Sequence, residues 1–208
     1  MSPDEIWQAF VAGMVQTRWT EYIAVFAGIL SVWYSRKENI LVYPVGLINT
    51  IFYVYISISG QLYGEAAVNL YYTVMSVYGW WLWDKKNTEN KPALKISYST
   101  KKEWIVQLIF FAFIYAVIFT ALSLLKKEFA PGVLPWADGL ASASAFTGMW
   151  LMTRKKVESW IWWIITNIAS IPLYFVKGYV FTSVYYLVLM ALAVAGLIEW
   201  RKRIKYES

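Results

Sequence analysis

Long apolar segments alternate with short polar turns along most of this chain. Seven of these segments are long enough to cross a bilayer, for which a helix needs about 20 mostly apolar residues. Charged residues fall near the ends of the segments and not at their centres. The pattern predicts an all-α polytopic membrane protein with seven transmembrane helices. The predicted spans are residues 19–35, 40–58, 63–83, 104–125, 137–153, 159–176 and 179–200.

A shorter amphipathic segment precedes the first span. Ser2 is followed by Pro3 and then by two acidic residues, which is the pattern of a capped helix start. The helix predicted over residues 3–16 is too short to cross a bilayer, and its apolar residues lie on one side. We therefore expect residues 1–18 to form an interfacial helix.

The chain contains a weak internal repeat. A shift of 118 residues overlays the first three spans on the last three, with Asn49 on Asn167 and Val42 on Trp160, and leaves the fourth span as a linker. Because the two sets of spans run in the same direction, the repeat predicts the parallel 3+1+3 plan of SWEET-type transporters, with a ligand site between the repeats. The predicted parts are an N-terminal interfacial helix (1–18), a first three-helix bundle (19–83), a cytoplasmic loop with linker helix 4 (84–136), a second three-helix bundle (137–200) and a basic cytoplasmic tail (201–208).

The basic residues predict the orientation in the membrane. Most of the 19 Lys and Arg residues lie in the connections after spans 1, 3 and 5 and in the C-terminal tail. The positive-inside rule then places the N-terminus outside and the C-terminus in the cytoplasm. Topology explains the net charge of +6 better than nucleic-acid binding does, so the expected partner is the lipid bilayer and no nucleic acid. The exceptions on the other side are Arg18, Lys126, Lys127 and Lys177.

The composition excludes several classes of chemistry. The chain has no Cys and no His, which excludes disulfides, thiol chemistry, His-ligated metals and Ser-His or Cys-His catalysis. No span carries a carboxylate near its centre, although ion-coupled carriers usually keep intramembrane acids or dedicated ion sites. The sequence therefore predicts a protein that is not an enzyme, has no cofactor or metal site, and is not driven by a coupled ion.

A polar-aromatic stripe marks the sixth span. Trp160, Trp163 and Asn167 fall at i, i+3 and i+7, so they share one helical face. An amide directed at lipid is unfavourable, so this face should meet protein or a cavity and serve as a ligand platform. The alternative for the indoles is an aromatic belt at the membrane interface, which is also our interpretation of Trp162. The other belt candidates are Trp80, Trp81, Trp83 and Trp104.

Two further polar groups of residues are candidates for the same site. Asn69, Tyr72 and Ser76 share one face of the third span, and Asn49 lies at the repeat position of Asn167. The alternative is that these side chains only bond neighbouring helices, which is a common use of polar residues in membrane bundles. A neutral, Trp-lined site suits a flat cationic ligand, because an aromatic face attracts a cation by roughly 0.5–2 kcal/mol.

Three motifs together resemble a known family. They are Gly46-Leu47-Ile48-Asn49, Tyr78-Gly79-Trp80, and the Trp-x-x-Trp-x-x-x-Asn arrangement of Trp160, Trp163 and Asn167. Over about residues 19–203 the chain resembles the PnuC family of bacterial vitamin transporters, whose best-known substrate is nicotinamide riboside.

The resemblance implies a homotrimer in the bacterial inner membrane, which imports nicotinamide riboside by facilitated diffusion and alternating access, with trapping by a cytoplasmic kinase. It also implies substrate contacts at Trp160, Trp163 and Asn167. The chain departs from the family pattern at Asn69, where Gln is expected, and at Tyr71-Tyr72, where paired Phe is expected. A thiamine transporter of the same family is therefore the alternative, and a non-transporting membrane scaffold or sensor is a further one.

Overall fold

The part of the chain described by the computed structural model, residues 2–59, 63–88, 90–129 and 134–207, forms eight α-helices. Each predicted helical segment coincides with one of them, and most ends agree within a few residues. The all-helical architecture predicted from the sequence is therefore confirmed. The helices are α1 (Pro3–Gln16), α2 (Trp19–Arg36), α3 (Val42–Ser59), α4 (Tyr63–Asp84), α5 (Lys101–Phe129), α6 (Pro135–Thr153), α7 (Glu158–Val176) and α8 (Val180–Glu207).

Four helices of the described part, α3, α5, α7 and α8, are long and apolar enough to cross a membrane by length and composition. The α6 helix is instead rich in buried Ala, Ser and Gly. Small residues of this kind let helices approach closely inside membrane bundles. The α8 helix continues through the predicted tail to Glu207.

The first helix begins as predicted. The Ser2 hydroxyl accepts a hydrogen bond from the Glu5 amide at 3.2 Å, and the Glu5 carboxylate accepts one from the Ser2 amide at 2.6 Å. This capping box satisfies two of the amides that a helix start leaves unpaired. The inner face of α1 packs on α8, where the Phe10 and Phe181 ring centroids lie 5.9 Å apart.

The remaining helices pack in two groups of three. In sequence order, α2 contacts α3 and α3 contacts α4, while α6 contacts α7 and α7 contacts α8. We call α2–α4 the N-terminal triplet and α6–α8 the C-terminal triplet. The triplets meet through two further pairs, α2 with α8 and α4 with α6, and α5 packs on α6.

Equivalent contacts recur in the two triplets. Tyr43 of α3 lies edge-on to Trp83 of α4, with centroids 5.2 Å apart and an interplanar angle of 87°. Trp160 of α7 lies edge-on to Trp200 of α8, at 5.5 Å and 88°. Trp160 therefore has an aromatic counterpart in the N-terminal triplet, Tyr43, and not Val42 as the sequence alignment predicted.

The spacing of these contacts is 117 residues, one less than the predicted shift. The Ser35 hydroxyl lies 2.9 Å from the Met152 sulfur, and these two residues are 117 positions apart in the chain. The ion-paired residues Glu38 and Lys155 have the same separation. Glu38 and Lys155 also share a left-handed backbone, with φ of 56° and 52°. In this register Asn167 corresponds to Thr50, so the predicted pairing of Asn49 with Asn167 is wrong by one residue.

One end of the bundle carries most of the described basic side chains. It comprises the α2–α3 turn, the connector 85–100, the α6–α7 turn and the end of α8, and we call it the basic end. The connector is tied to this end by Glu158, which accepts hydrogen bonds from the Ser99 amide at 3.0 Å and the Ser99 hydroxyl at 2.8 Å. A buried hydrophobic cluster also lies here, and its aromatic members are Tyr43, Trp83, Trp160 and Trp200.

Two of the predicted belt tryptophans lie inside the protein. Trp83 is buried and its indole N–H donates to the Thr153 carbonyl at 3.2 Å. Trp162 is buried against α5, as described below. Trp80 and Trp81 are exposed on the outer surface of α4, and their place in an aromatic belt stays a prediction.

Candidate functional site

The first tryptophan of the stripe, Trp160, is enclosed by protein. It lies in the first turn of α7, is 1% exposed, and its ring packs against Trp200. Its indole N–H has no hydrogen-bond partner among the described residues, although it is buried. Trp160 is therefore neither a belt residue nor an open aromatic platform in this conformation.

The second tryptophan, Trp163, lies one turn further along α7 and is half-buried. Its ring centroid is 6.2 Å from that of Tyr72 on α4, at an interplanar angle of 49°. On its other side the indole lies against the backbone of α6 at Gly148, where an added Cβ atom would be 3.3 Å from the ring. The contact with Tyr72 joins the two triplets and brings together two of the predicted site residues.

An aromatic wall continues from Tyr72 toward α6. Tyr71 stacks on Phe146 with centroids 4.2 Å apart and an interplanar angle of 15°, and its hydroxyl donates to the Phe146 carbonyl at 3.0 Å. Tyr72 lies 6.2 Å from the same ring. Sequence reasoning missed Phe146, because a single Phe among the small residues of α6 carries no periodic signal.

The third member of the stripe, Asn167, is 3% exposed in α7. It lies one turn beyond Trp163 on the same face of the helix. Its side-chain amide carries both a donor and an acceptor, which can bond the polar substituents of a ligand.

The remaining predicted site residues bond within the N-terminal triplet. The Asn49 amide donates to the Ala24 carbonyl at 2.6 Å and so links α3 to α2. This is the interhelical role that the sequence left open for Asn49. Asn69 is half-buried on α4, where its main-chain carbonyl accepts a hydrogen bond from the Thr73 hydroxyl at 2.9 Å. Of the predicted site residues in the N-terminal triplet, Tyr72 is the one whose ring contacts Trp163 in the described part of the structure.

The neighbouring Trp162 faces away from this region. Its indole N–H donates to the Gln107 side-chain oxygen at 2.9 Å, and its ring lies 4.8 Å from Phe111. Gln107 is fully buried in the protein. These contacts attach α5 to the C-terminal triplet.

The described site is electrically neutral. Ion pairs lie toward the two ends of the helices, in the Lys177–Asp138 pair at 2.9 Å and the Lys155–Glu38 pair at 2.7 Å. The described residues include no group of three acidic or metal-ligating side chains that could hold an ion. The arrangement offers aromatic faces and amides, which bind an aromatic ligand and its polar substituents.

Comparison with known proteins identifies the family. A family model described as nicotinamide mononucleotide transporter matches residues 18–202. The nicotinamide riboside transporter PnuC of Escherichia coli strain K12 is 28% identical, over 91% of this chain and 87% of that protein. The riboflavin/roseoflavin transporter RibM of Streptomyces davaonensis is 22% identical, over 97% and 93%.

The fold is also known. The crystal structure of the vitamin B3 transporter PnuC has a TM-score of 0.68 to this protein at 24% identity, and the match covers 100% of this chain and 94% of that one. The resemblance inferred from the three motifs is thus confirmed. Because the family model matches most of the chain, this protein belongs to the nicotinamide mononucleotide transporter family, whose members are membrane transporters and not enzymes.

Proposed function

We propose that this protein is a bacterial inner-membrane facilitator that imports nicotinamide riboside. The observation that carries the proposal is the neutral aromatic contact between Trp163 and Tyr72, which joins the two triplets one turn of α7 away from the buried amide of Asn167. Nicotinamide riboside has a flat cationic ring and a hydroxylated sugar, and this arrangement offers one kind of partner for each. The Escherichia coli relative is named for nicotinamide riboside, which supports the same choice.

The architecture proposed for transport is the parallel 3+1+3 plan, with α5 as the linker. The helix contacts support it. A two-fold relation that maps α2 on α6 and α4 on α8 would turn the contact of α2 with α8 into a contact of α6 with α4, and both contacts are present. In transporters built from repeats, the ligand site lies near the midplane between the repeats. We propose that α1 is the interfacial helix outside this plan and that the protein forms a homotrimer.

The basic end is proposed to face the cytoplasm. The positive-inside rule supports this orientation, which leaves the N-terminus outside and the C-terminus inside. A ligand would then enter from the end that carries the Lys177–Asp138 pair.

In the proposed cycle, Trp163 and Tyr72 hold the ring of the ligand. A cation over an aromatic face gains roughly 0.5–2 kcal/mol without any counter-charge in the site. Asn167 bonds the polar substituents, and the oxygens of Asn49 and Asn69 complete the polar wall. One triplet then rotates against the other and exposes the ligand inward, where phosphorylation by a cytoplasmic kinase traps it.

The same geometry accepts other aromatic vitamins. Thiamine is the second candidate, since it also joins an aromatic cation to a polar tail. Riboflavin is a third, because the relative from Streptomyces davaonensis is named for riboflavin and roseoflavin. A scaffold or sensor without transport activity remains the alternative outside the transporter class.

Uptake into proteoliposomes tests the proposal. We expect saturable entry of labelled nicotinamide riboside without any ion gradient, and at least a tenfold loss of uptake in Trp163→Ala. The matched control is Trp81→Ala, because Trp81 is exposed on the outer surface of the bundle and should keep wild-type uptake. Uptake of none of the three vitamins, or equal uptake by the two variants, would contradict the proposal.

A further inference from the structure

We infer that Tyr43, Trp83, Trp200 and Trp160 form a gate at the basic end, and that these four rings must separate before a ligand can leave toward the cytoplasm. We call this set the aromatic gate. The inference rests on the proposed transport function. It assigns a role to three buried aromatic residues outside the proposed ligand site and to Trp160, which the sequence predicted as a substrate contact.

The four rings form a continuous chain across the boundary between the triplets. Tyr43 contacts Trp83 at 5.2 Å, Trp83 contacts Trp200 at 6.4 Å, and Trp200 contacts Trp160 at 5.5 Å. The central pair comes from opposite triplets, since Trp83 lies on α4 and Trp200 on α8. All four side chains are at most 6% exposed, so the rings close this end of the boundary.

Each central indole also bonds the opposite triplet. The Trp83 N–H donates to the carbonyl of Thr153, the last residue of α6, at 3.2 Å. The Trp200 N–H donates at 3.2 Å to the carbonyls of Ser35 and Arg36, the last residues of α2. The Ser35 carbonyl also accepts from the Glu38 amide at 3.0 Å. Carbonyls at a helix end have no partner within the helix, and the indole bonds supply one to Arg36 and Thr153. A rotation of one triplet against the other would break both sets of bonds.

Charged side chains cover the gate on its outer side. Glu38 pairs with Lys155 at 2.7 Å and with Arg203 at 3.2 Å, so the α2–α3 turn is joined to both the α6–α7 turn and α8. The Lys155 ammonium group lies 4.6 Å from the Trp83 ring centroid. The ion pairs and the rings therefore hold the same boundary closed.

The closed packing leaves two polar atoms unsatisfied. The Tyr43 hydroxyl and the Trp160 indole N–H are buried without a hydrogen-bond partner in the described residues. An unmet buried donor destabilises the state that buries it. In a permanently closed core, apolar rings would fill the same space without this penalty. Opening the gate would give both atoms access to water. Polar atoms at these two positions are therefore expected if the protein alternates between a closed and an open state.

Glycines seat the two outer rings. A Cβ atom at Gly79 would lie 2.5 Å from the Tyr43 ring, and a Cβ atom at Gly196 would lie 2.6 Å from the Trp160 ring. The rings thus lie directly on the backbones of α4 and α8, in equivalent positions of the two triplets. The gate is built from both repeats and not from one helix.

A reversible crosslink across the gate tests this inference. The chain has no native Cys, so two introduced cysteines form one defined pair. Ser35 and Met152 lie on opposite triplets at the basic end, with Oγ and Sδ 2.9 Å apart. In proteoliposomes of the full chain, we expect oxidation of Ser35→Cys with Met152→Cys to reduce uptake of labelled nicotinamide riboside at least tenfold, and reduction of the disulfide to restore it.

The matched control crosslinks two helices of one triplet. Thr50 and Thr73 have hydroxyl oxygens 3.0 Å apart on α3 and α4. Oxidation of Thr50→Cys with Thr73→Cys should leave uptake within twofold of the reduced protein, because the triplet moves as a unit. Undiminished uptake by the oxidised Ser35→Cys, Met152→Cys protein would overturn the gate.

A second measurement does not depend on the substrate. Ser76→Cys places a single thiol on α4, one turn beyond Gly79 on the side away from the basic end. We expect a membrane-impermeant maleimide applied at the basic end to label it at least fivefold faster when Trp83→Phe and Trp200→Phe are added. The control is Trp162→Phe, which removes an indole bond outside the gate.

The two measurements separate the possible failures. If nicotinamide riboside is not taken up by the reduced proteins but the labelling rate rises as expected, the proposed substrate is wrong and the gate stands. If the labelling rate is the same with and without the gate substitutions, the gate is wrong even when uptake is normal.

Discussion

The ion pair between Glu38 and Lys155 gives a prediction that can be worked out from the structure. The two side chains approach to 2.7 Å, and they are 21% and 5% exposed. At that distance and an effective dielectric constant of about 20, the Coulomb attraction is roughly 6 kcal/mol, and desolvation offsets a large part of it. Removing one charge leaves the other buried and unpaired, which typically destabilises by about 3–5 kcal/mol.

The perturbation is Glu38→Gln, which keeps the length and branching of the side chain and so preserves the left-handed backbone at this position. Because Glu38 is partly exposed, we expect a loss of about 2–4 kcal/mol in the free energy of unfolding. Arg203 keeps a partner in Glu199 at 3.2 Å, so most of the loss belongs to Lys155.

A double-mutant cycle provides the control. Lys155→Met replaces the unpaired ammonium group with an apolar side chain of similar length, so the double variant should recover at least half of the loss. The assay is reversible unfolding of the purified protein in mixed micelles with increasing SDS. A loss below about 0.5 kcal/mol in Glu38→Gln, or additive losses in the double variant, would refute the reasoning.

Three further predictions concern other parts of the structure. Gly196→Ala should lower the free energy of unfolding by about 1–3 kcal/mol, because its Cβ atom would displace the Trp160 ring; an unchanged value in the same SDS titration would contradict the packing described here. Gln107→Ala should lower it by about 1–3 kcal/mol by leaving the Trp162 N–H unpaired, and adding Trp162→Phe should recover part of this loss; a larger loss in the double variant would contradict the role of the hydrogen bond. Uptake should be unchanged when ionophores collapse sodium and proton gradients, because the site residues Trp163, Tyr72 and Asn167 include no acidic or basic side chain; uptake that stops with either gradient would show a coupling ion.

The sequence determines the helices of this protein more reliably than their contacts. The ends of α2 and α7 follow from the positions where apolar runs meet charged turns, and such runs can cross a bilayer only as helices. The cap at Ser2 follows from local chemistry in the same way. These features depend on neighbouring residues alone.

The environment of each tryptophan could not be predicted in this way. Trp81 and Trp83 both lie near the end of α4, but Trp81 is exposed while Trp83 is buried and bonded to Thr153. An indole suits the membrane interface and a buried site that offers an acceptor equally well. Only the packing of α4 on α6, which joins distant parts of the chain, separates the two cases.

The register of the repeat was wrong for a related reason. The identities that matched Asn49 to Asn167 were few, and helices selected mainly for apolarity can be aligned in more than one register. The structure aligns them by contacts, in which Tyr43 corresponds to Trp160 and each lies on a glycine. The pair shares a role although the residues differ, so residue identity could not reveal it.

The most direct test of the central claim is calorimetric titration of the purified full chain with nicotinamide riboside, thiamine and riboflavin, each alone. If a neutral aromatic site between the triplets recognises the vitamin, nicotinamide riboside should bind saturably at one site per chain, and Trp163→Ala should weaken binding at least tenfold, while Trp81→Ala leaves it unchanged. Failure of all three vitamins to bind, or equal affinity in wild type and Trp163→Ala, would contradict the account.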